Sequence, residues 1–400
     1  MQNIYNIATI FFSFLTILIL IFFITEVSTR TILFLRDKIF YQNIKRKDFI
    51  NKEYHDYLNW IENLDKPMFE YLPIGIRLFN KDNKLLEKRV KNNSIGYRTY
   101  EFYKKKKDEL RIILIGGSTA WGTGSSSNET NISGYLEQII NNNKKLLGNK
   151  THAKVFNLSQ VLSTITQDIL SLTFYASELE PDIVISFCGW NESITNYKLD
   201  EKKLSKHKFF YMADMENWEP THLPKSRKKI LKNLLTRWFA DNFKIIKVFF
   251  NKNKNFDITD KVLKNLRLNS EVTLNNFNIL EKISKGFNFK VIHFLQPNLY
   301  RKIYPTDSES KVLKLYNDHR PIHGGKKFGK FLENTNIYEY ICNESEEKSL
   351  NVINLLDIFK NEKRSVFYTL VHLNDLGYKL IAEKIYENLL ENKNNYFQSQ

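Results

Sequence analysis

Ser118, Asn191 and His372 are the side chains of this sequence best suited to act together on an ester. They sit in the stretches "LIGGSTAWGTG", "FCGWNES" and "LVHLNDLGY". A hydroxyl is a weak nucleophile until a neighbouring imidazole takes its proton. Its attack on an acyl carbonyl then puts negative charge on oxygen, which amide N–H groups stabilise. Taken singly, each residue has an ordinary alternative. A serine after two glycines is usually a turn residue, Asn191 suits a helix cap, and one of eight histidines belongs by default to the core or surface.

The elements around these residues decide between the two readings. Short apolar runs rich in β-branched residues, "RIILIGG" from Arg111, "AKVFNLS" from Ala153, "PDIVISFCG" from Pro181, "FKVIHFLQP" from Phe289 and "NVINLLDIF" from Asn351, alternate with helix-length stretches at 133–143, 165–179, 262–286 and 375–391. Continuous apolarity marks strands covered on both faces, as in a parallel sheet between helices. The expected fold is therefore α/β, a three-layer α/β/α arrangement on a five-stranded parallel sheet of flavodoxin-like type. In such sheets reactive groups gather beyond the carboxyl ends of the strands. Gly117 and Ser118, Asn157 to Ser159, and Gly189 to Asn191 all lie there, and His372 stands just ahead of the last helix.

These segments resemble the SGNH (GDSL-type) hydrolases over roughly residues 90 to 392. Gly116-Gly117-Ser118 after a strand matches the first block, Gly189-Trp190-Asn191-Glu192 matches the G-x-N-[DE] block, and "HLNDLGY" from His372 matches the last. The upstream "NSIGYRT" is similar to a lead-in found in many members. The resemblance implies Ser118 as nucleophile and His372 as general base. It implies an oxyanion hole built from the Ser118 backbone N–H, the Asn191 side chain and a backbone N–H of the second block. Gly117, Gly189 and Asn157 would support the site.

Two positions depart from the pattern. The second block, "NLSQVLSTITQ", lacks the usual glycine, and Leu162 or Ser159 falls in its place. Any residue but proline carries an N–H, so that loss is tolerable. The acid expected three residues before His372 is Thr369, which accepts a hydrogen bond but bears no charge. Loss of the acid in a serine protease costs about 10⁴ in turnover. Asp357, at the end of the last strand run, is one possible replacement; Asp375 is a poorer one, because it would cap the last helix. A Ser-His dyad and a catalytically impaired relative both stay open.

The first 25 residues carry no charged side chain, and "IATIFFSFLTILILIFFIT" supplies roughly the 20 apolar residues that span a bilayer core. With no basic start and no small-residue cleavage site, it reads as an uncleaved transmembrane anchor rather than a signal peptide. Arg30, Arg36, Lys38, Lys45, Arg46 and Lys47 follow it, which by charge alone keeps the following domain cytoplasmic, whereas the resemblance implies the opposite face. The expected organisation is a transmembrane helix at 1–25, a stalk or cap at 26–108, a hydrolase domain at 109–392 with an insertion near 196–270, and a polar tail at 393–400. Inside the insertion, "SRKKILKNLLTRWFADNFKIIKVFF" is amphipathic, suited to packing on the domain, to lying on anionic lipid, or to covering the site as a lid.

A net charge of +16 alone would suit nucleic acid, but basic residues near a membrane anchor account for it without a nucleic-acid partner. The glycines of "GGSTAWGTG" lack the G-K-[ST] ending of a phosphate loop. His319 and His323 have no companions at zinc spacing, so neither metal nor cofactor is expected. His293, inside an apolar strand, reads as a satisfied core histidine. Two cysteines, Cys188 and Cys342, are too few for a disulfide framework. The expected substrate is an acylated carbohydrate or lipid-linked glycan, on the strength of the resemblance. A lipid ester, or a silent binding or assembly role, is the alternative.

Overall fold

A computed structural model describes residues 2–43, 69–72, 75–78, 90–194, 260–319 and 337–397. The amphipathic segment at 226–250, His323 and most of the expected stalk and insertion lie outside the described residues.

Two units are separable, Met1–Phe49 with Pro220–Phe256, and Ile50–Glu219 with Asp257–Gln400. In the first, helix α1 (Gln2–Asn43) continues without a break past position 25. Its stretch Phe11–Ile32 is long and apolar enough to cross a membrane, and nearly all of it is exposed. Four threonine hydroxyls in it bond back to the carbonyl four residues earlier, which hides these polar groups from an apolar surround. Arg30 Nε donates to Glu26 Oε1 at 2.7 Å, pairing the two charges that the span contains.

The second unit holds a two-stranded antiparallel hairpin, β1 (Phe69–Leu72) with β2 (Gly75–Leu78), and the main sheet. Five parallel strands run in the order β4 (His152–Asn157), β3 (Glu109–Gly116), β5 (Ile183–Cys188), β6 (Lys290–Leu295) and β7 (Val352–Asn354). Every residue of β3 and β5 is buried, as continuous apolar runs require. Alternate side chains serve opposite faces. Leu110, Ile112 and Leu114 of β3 join a core with Leu136 and Ile140 of α3 (Ile132–Asn143) and with Ile381 and Ile385 of α9 (Asp375–Glu391). On the other face α4 (Ile165–Leu179) and α6 (Asp260–Phe287) pack together, and Phe277 of α6 stacks on His293 of β6 at 3.8 Å. The three-layer α/β/α architecture expected from the sequence is present.

Local chemistry fixes where the helices begin. Asn131 Oδ1 accepts from Gly134 N at the start of α3, and Thr164 with Gln167 forms a capping box on α4. Asn374 caps α9 by accepting from Gly377 N, so the cap expected at Asp375 lies one residue earlier. Asp375 instead takes the Ser126 N–H at 2.8 Å and the Ser126 hydroxyl.

The packed unit includes residues ahead of Glu109. Arg98 is 1% exposed: its Nε donates to Asn128 Oδ1, and its terminal nitrogens donate to the carbonyls of Gly122 and Ser127. Its guanidinium lies over the Trp121 ring. Tyr97, Phe102 and Tyr175 meet edge to face or stacked. This docks the lead-in segment on the helical layer.

Candidate active site

Strand β3 delivers the serine. Its last residue, Gly116, has φ +154°, and a Cβ there would stand 2.3 Å from the Phe187 carbonyl oxygen. Gly117 then turns the chain into the short helix α2 (Ser118–Trp121), so Ser118 opens that helix at the rim of the sheet. A Cβ on Gly117 would lie 2.6 Å from Asn191 Nδ2, so glycine here gives the amide room beside the serine. Gly189 follows β5 at φ +121°, where a Cβ would collide with the Tyr338 ring of α8 (Ile337–Glu347); it leads into α5 (Trp190–Ile194), which carries Asn191.

His372 arrives from the loop between β7 and α9. Its Nε2 is 2.7 Å from Ser118 Oγ, although the two residues are 254 positions apart in sequence. Thr369 Oγ1 is 3.0 Å from His372 Nδ1 and also accepts the His372 backbone N–H at 3.0 Å. For Nε2 to accept the serine proton, Nδ1 must carry the ring hydrogen and donate it to Thr369.

The loop is braced from below. Glu309 of α7 (Asp307–His319) accepts the backbone N–H groups of Val366 and Phe367, and its second oxygen meets Lys302 Nζ at 2.5 Å. Lys302 also donates to the Arg364 carbonyl. Burial alone would raise the Glu309 carboxyl, but the Lys302 ammonium and these N–H groups hold it below its ordinary value. Sequence reasoning missed this buried pair, because Lys302 and Glu309 sit in an unremarkable polar stretch.

Asp357 does not join the histidine. It is exposed and forms a two-pronged pair with Arg301 at 2.8 and 3.1 Å, which lowers its carboxyl. Among the described residues, Thr369 is what holds Nδ1.

The second block wraps the other side. Asn157 is wholly buried and structural: its Oδ1 takes the Ser159 N–H and its Nδ2 donates to the Ala120 carbonyl. With the Ser159 N–H engaged, Leu162 is the remaining candidate for the missing-glycine position. It stands at φ +64°, a left-handed conformation that glycine adopts freely and leucine rarely does, and no described residue accepts its N–H. Asn191 Nδ2 donates one hydrogen to the Ser163 carbonyl at 2.6 Å, leaving its other N–H without a described acceptor. Glu192 lies beneath, accepting Gly189 N and Ile165 N at 2.7 Å each; burial raises its carboxyl although those bonds oppose the shift.

His293 is in the core as expected, yet its ring nitrogens have no hydrogen-bond partner, and Glu281 at 4.0 Å is beyond reach. Burial lowers its pKa to about 3, so it is neutral. Cys188 and Cys342 are both free thiols.

Sheet order, a serine and histidine meeting at one rim, and the Gly-x-Asn-Glu turn together define a three-layer α/β/α scaffold with a paired serine and histidine beyond the strand ends. No family model and no curated protein matches the chain. Solved structures similar to it include an acetyl xylan esterase, 14% identical over 70% of this chain and 100% of that one, with a TM-score of 0.35. A GDSL-like lipase from Bacteroides thetaiotaomicron is 11% identical over 72% and 91% of the two chains, with a TM-score of 0.34. A two-domain esterase active on acetylated mannans is 13% identical over 71% of this chain and 50% of that one, also at 0.34.

Proposed function

We propose that the protein is a membrane-anchored serine esterase or O-acyltransferase of SGNH type, acting on an ester of a carbohydrate or lipid-linked glycan. One observation carries the chemistry: Ser118 Oγ and His372 Nε2 stand at hydrogen-bond distance across the rim of the sheet. His372 removes the Ser118 proton as the oxygen attacks the acyl carbonyl. The Ser118 N–H, the second N–H of Asn191 and the Leu162 N–H stabilise the resulting oxyanion. The imidazolium then protonates the departing alkoxide, leaving an acyl-serine. Water, or an acceptor hydroxyl in a transferase, enters with His372 again as base. The bilayer partner follows from the length and apolarity of α1. The glycan ester follows from the sequence resemblance, and no nucleic-acid partner is assigned.

Thr369 supports a second reading, an SGNH-fold binding or assembly protein that lost its acid and with it most of its turnover. A fluorophosphonate probe separates the two. Labelling of the native protein that disappears in Ser118→Ala supports the enzyme. Labelling that survives the substitution refutes the nucleophile, and no labelling of either protein favours the silent scaffold.

A further inference from the structure

We propose that Asp168 is a neutral carboxylic acid that donates its proton to Ser163 and so locks the oxyanion loop against the end of β3. The inference rests on the catalytic reading above. Asp168, in the first turn of α4, is 0% exposed. Ser163 Oγ lies 2.7 Å from Asp168 Oδ1 and 2.9 Å from the Gly116 carbonyl oxygen. The serine has one hydroxyl hydrogen, and a carbonyl can only accept. With the hydrogen given to Gly116, the contact to Asp168 is a hydrogen bond only if the acid supplies the proton.

The surroundings favour the protonated form. Asp168 Oδ2 is buried without a partner, so an ionised Asp168 would keep a single donor for a full charge. The titratable groups that act on it electrostatically are Glu192 and Cys188, neither of them cationic. No described lysine, arginine or histidine forms an ion pair with Asp168 or Glu192. Glu192, with two backbone N–H donors, is the better-supported anion of the two. Burial and the nearby Glu192 raise the Asp168 carboxyl well above the carboxylate range, against the Ser163 bond.

Ser163 is where this matters. Its hydroxyl reaches Gly116, two residues before the nucleophile, its carbonyl holds Asn191 Nδ2, and its neighbour is Leu162. Ionisation of Asp168 would draw the hydroxyl hydrogen off Gly116 and loosen both donors of the hole together. Asp168 is thus a positioning residue whose ionisation adds a reversible alkaline fall in kcat.

The test uses the full chain with two variants and one spectrum. Asp168→Ala should lower kcat about tenfold or more with KM little changed, as expected for a contact that matters in the transition state. Asp168→Asn, whose amide donates as the acid does but does not titrate, should restore most of kcat and abolish the alkaline fall. Infrared difference spectra at neutral pH should show a protonated-carboxyl stretch in the native protein that Asp168→Asn lacks. Absence of that band, or an Asn variant as impaired as the Ala variant, overturns the proposal. The spectrum needs no turnover, so it decides the protonation state even where the fluorophosphonate experiment has refuted the enzyme reading.

Discussion

On the proposed serine-esterase reading, replacing Thr369 by aspartate should speed ester hydrolysis. A threonine hydroxyl can accept from Nδ1 or donate to it, so it tolerates both ring tautomers, and only one leaves Nε2 free to take the Ser118 proton. A carboxylate only accepts, and it adds a charge beside the imidazolium that forms during attack. At an effective dielectric of 20 and about 4 Å between charge centres, that attraction is about 4 kcal/mol. Thr369 already stands 3.0 Å from Nδ1, so the ring orientation is largely in place, and the gain is mainly the charge. Desolvating the new carboxylate in a half-buried position offsets roughly half of it. The net of about 2 kcal/mol corresponds to about 30-fold in kcat. The same charge raises the pKa of His372; because the base must be neutral to act, the rise of kcat/KM with pH should shift upward. Hydrolysis of p-nitrophenyl acetate across pH measures both effects. Asp357→Asn is the control and should leave kcat unchanged, since Asp357 is engaged with Arg301. A Thr369→Asp protein that folds normally yet gains nothing would refute the reasoning and mean that a charge already reaches the ring.

Asn191→Ala should lower kcat by about 10² to 10³, as for loss of one oxyanion donor, and Gly117→Ala should lose activity with Asn191 still present, because its Cβ would displace Nδ2. Steady-state kinetics of the two variants check both. Glu309→Ala strands Lys302 in a fully buried position and should destabilise the fold by about 3 kcal/mol or more in urea denaturation. His293 has a folded pKa of about 3 against 6.5 for the free side chain, so the unfolded chain binds the extra proton between those values. Stability should therefore fall as pH drops from 6.5 toward 3, by at most about 1.4 kcal/mol per pH unit. His293→Leu should flatten that slope in pH-dependent melting.

The central strands were legible because both-face burial writes unbroken apolar runs, and each of the five expected runs overlaps a strand of the main sheet. Ser118 and Asn191 were legible from their places just after strand ends, and His372 from its stretch just ahead of the last helix. Their supports were not. Glu309 and Lys302 act through backbone atoms of a distant loop, and nothing in their neighbours' spacing marks that. Asp357 looked suitable by its place after a strand, but a nearby arginine claims it, and pairings of side chains across loops leave no periodic trace. Leu162 could be placed only by its φ, which the sequence conceals when glycine is absent.

Composition invites a cut in the polypeptide just ahead of Glu109, after a run of lysines. Severing it there would take away the guanidinium that lies over the Trp121 ring and strip the carbonyls of Gly122 and Ser127 of their Arg98 donors. A portable unit therefore needs Arg98, and with it Val90, whose own side chain is wholly buried. Natural variation at Arg98 would be felt in the turn that follows Ser118, through the Gly122 carbonyl and the Trp121 ring.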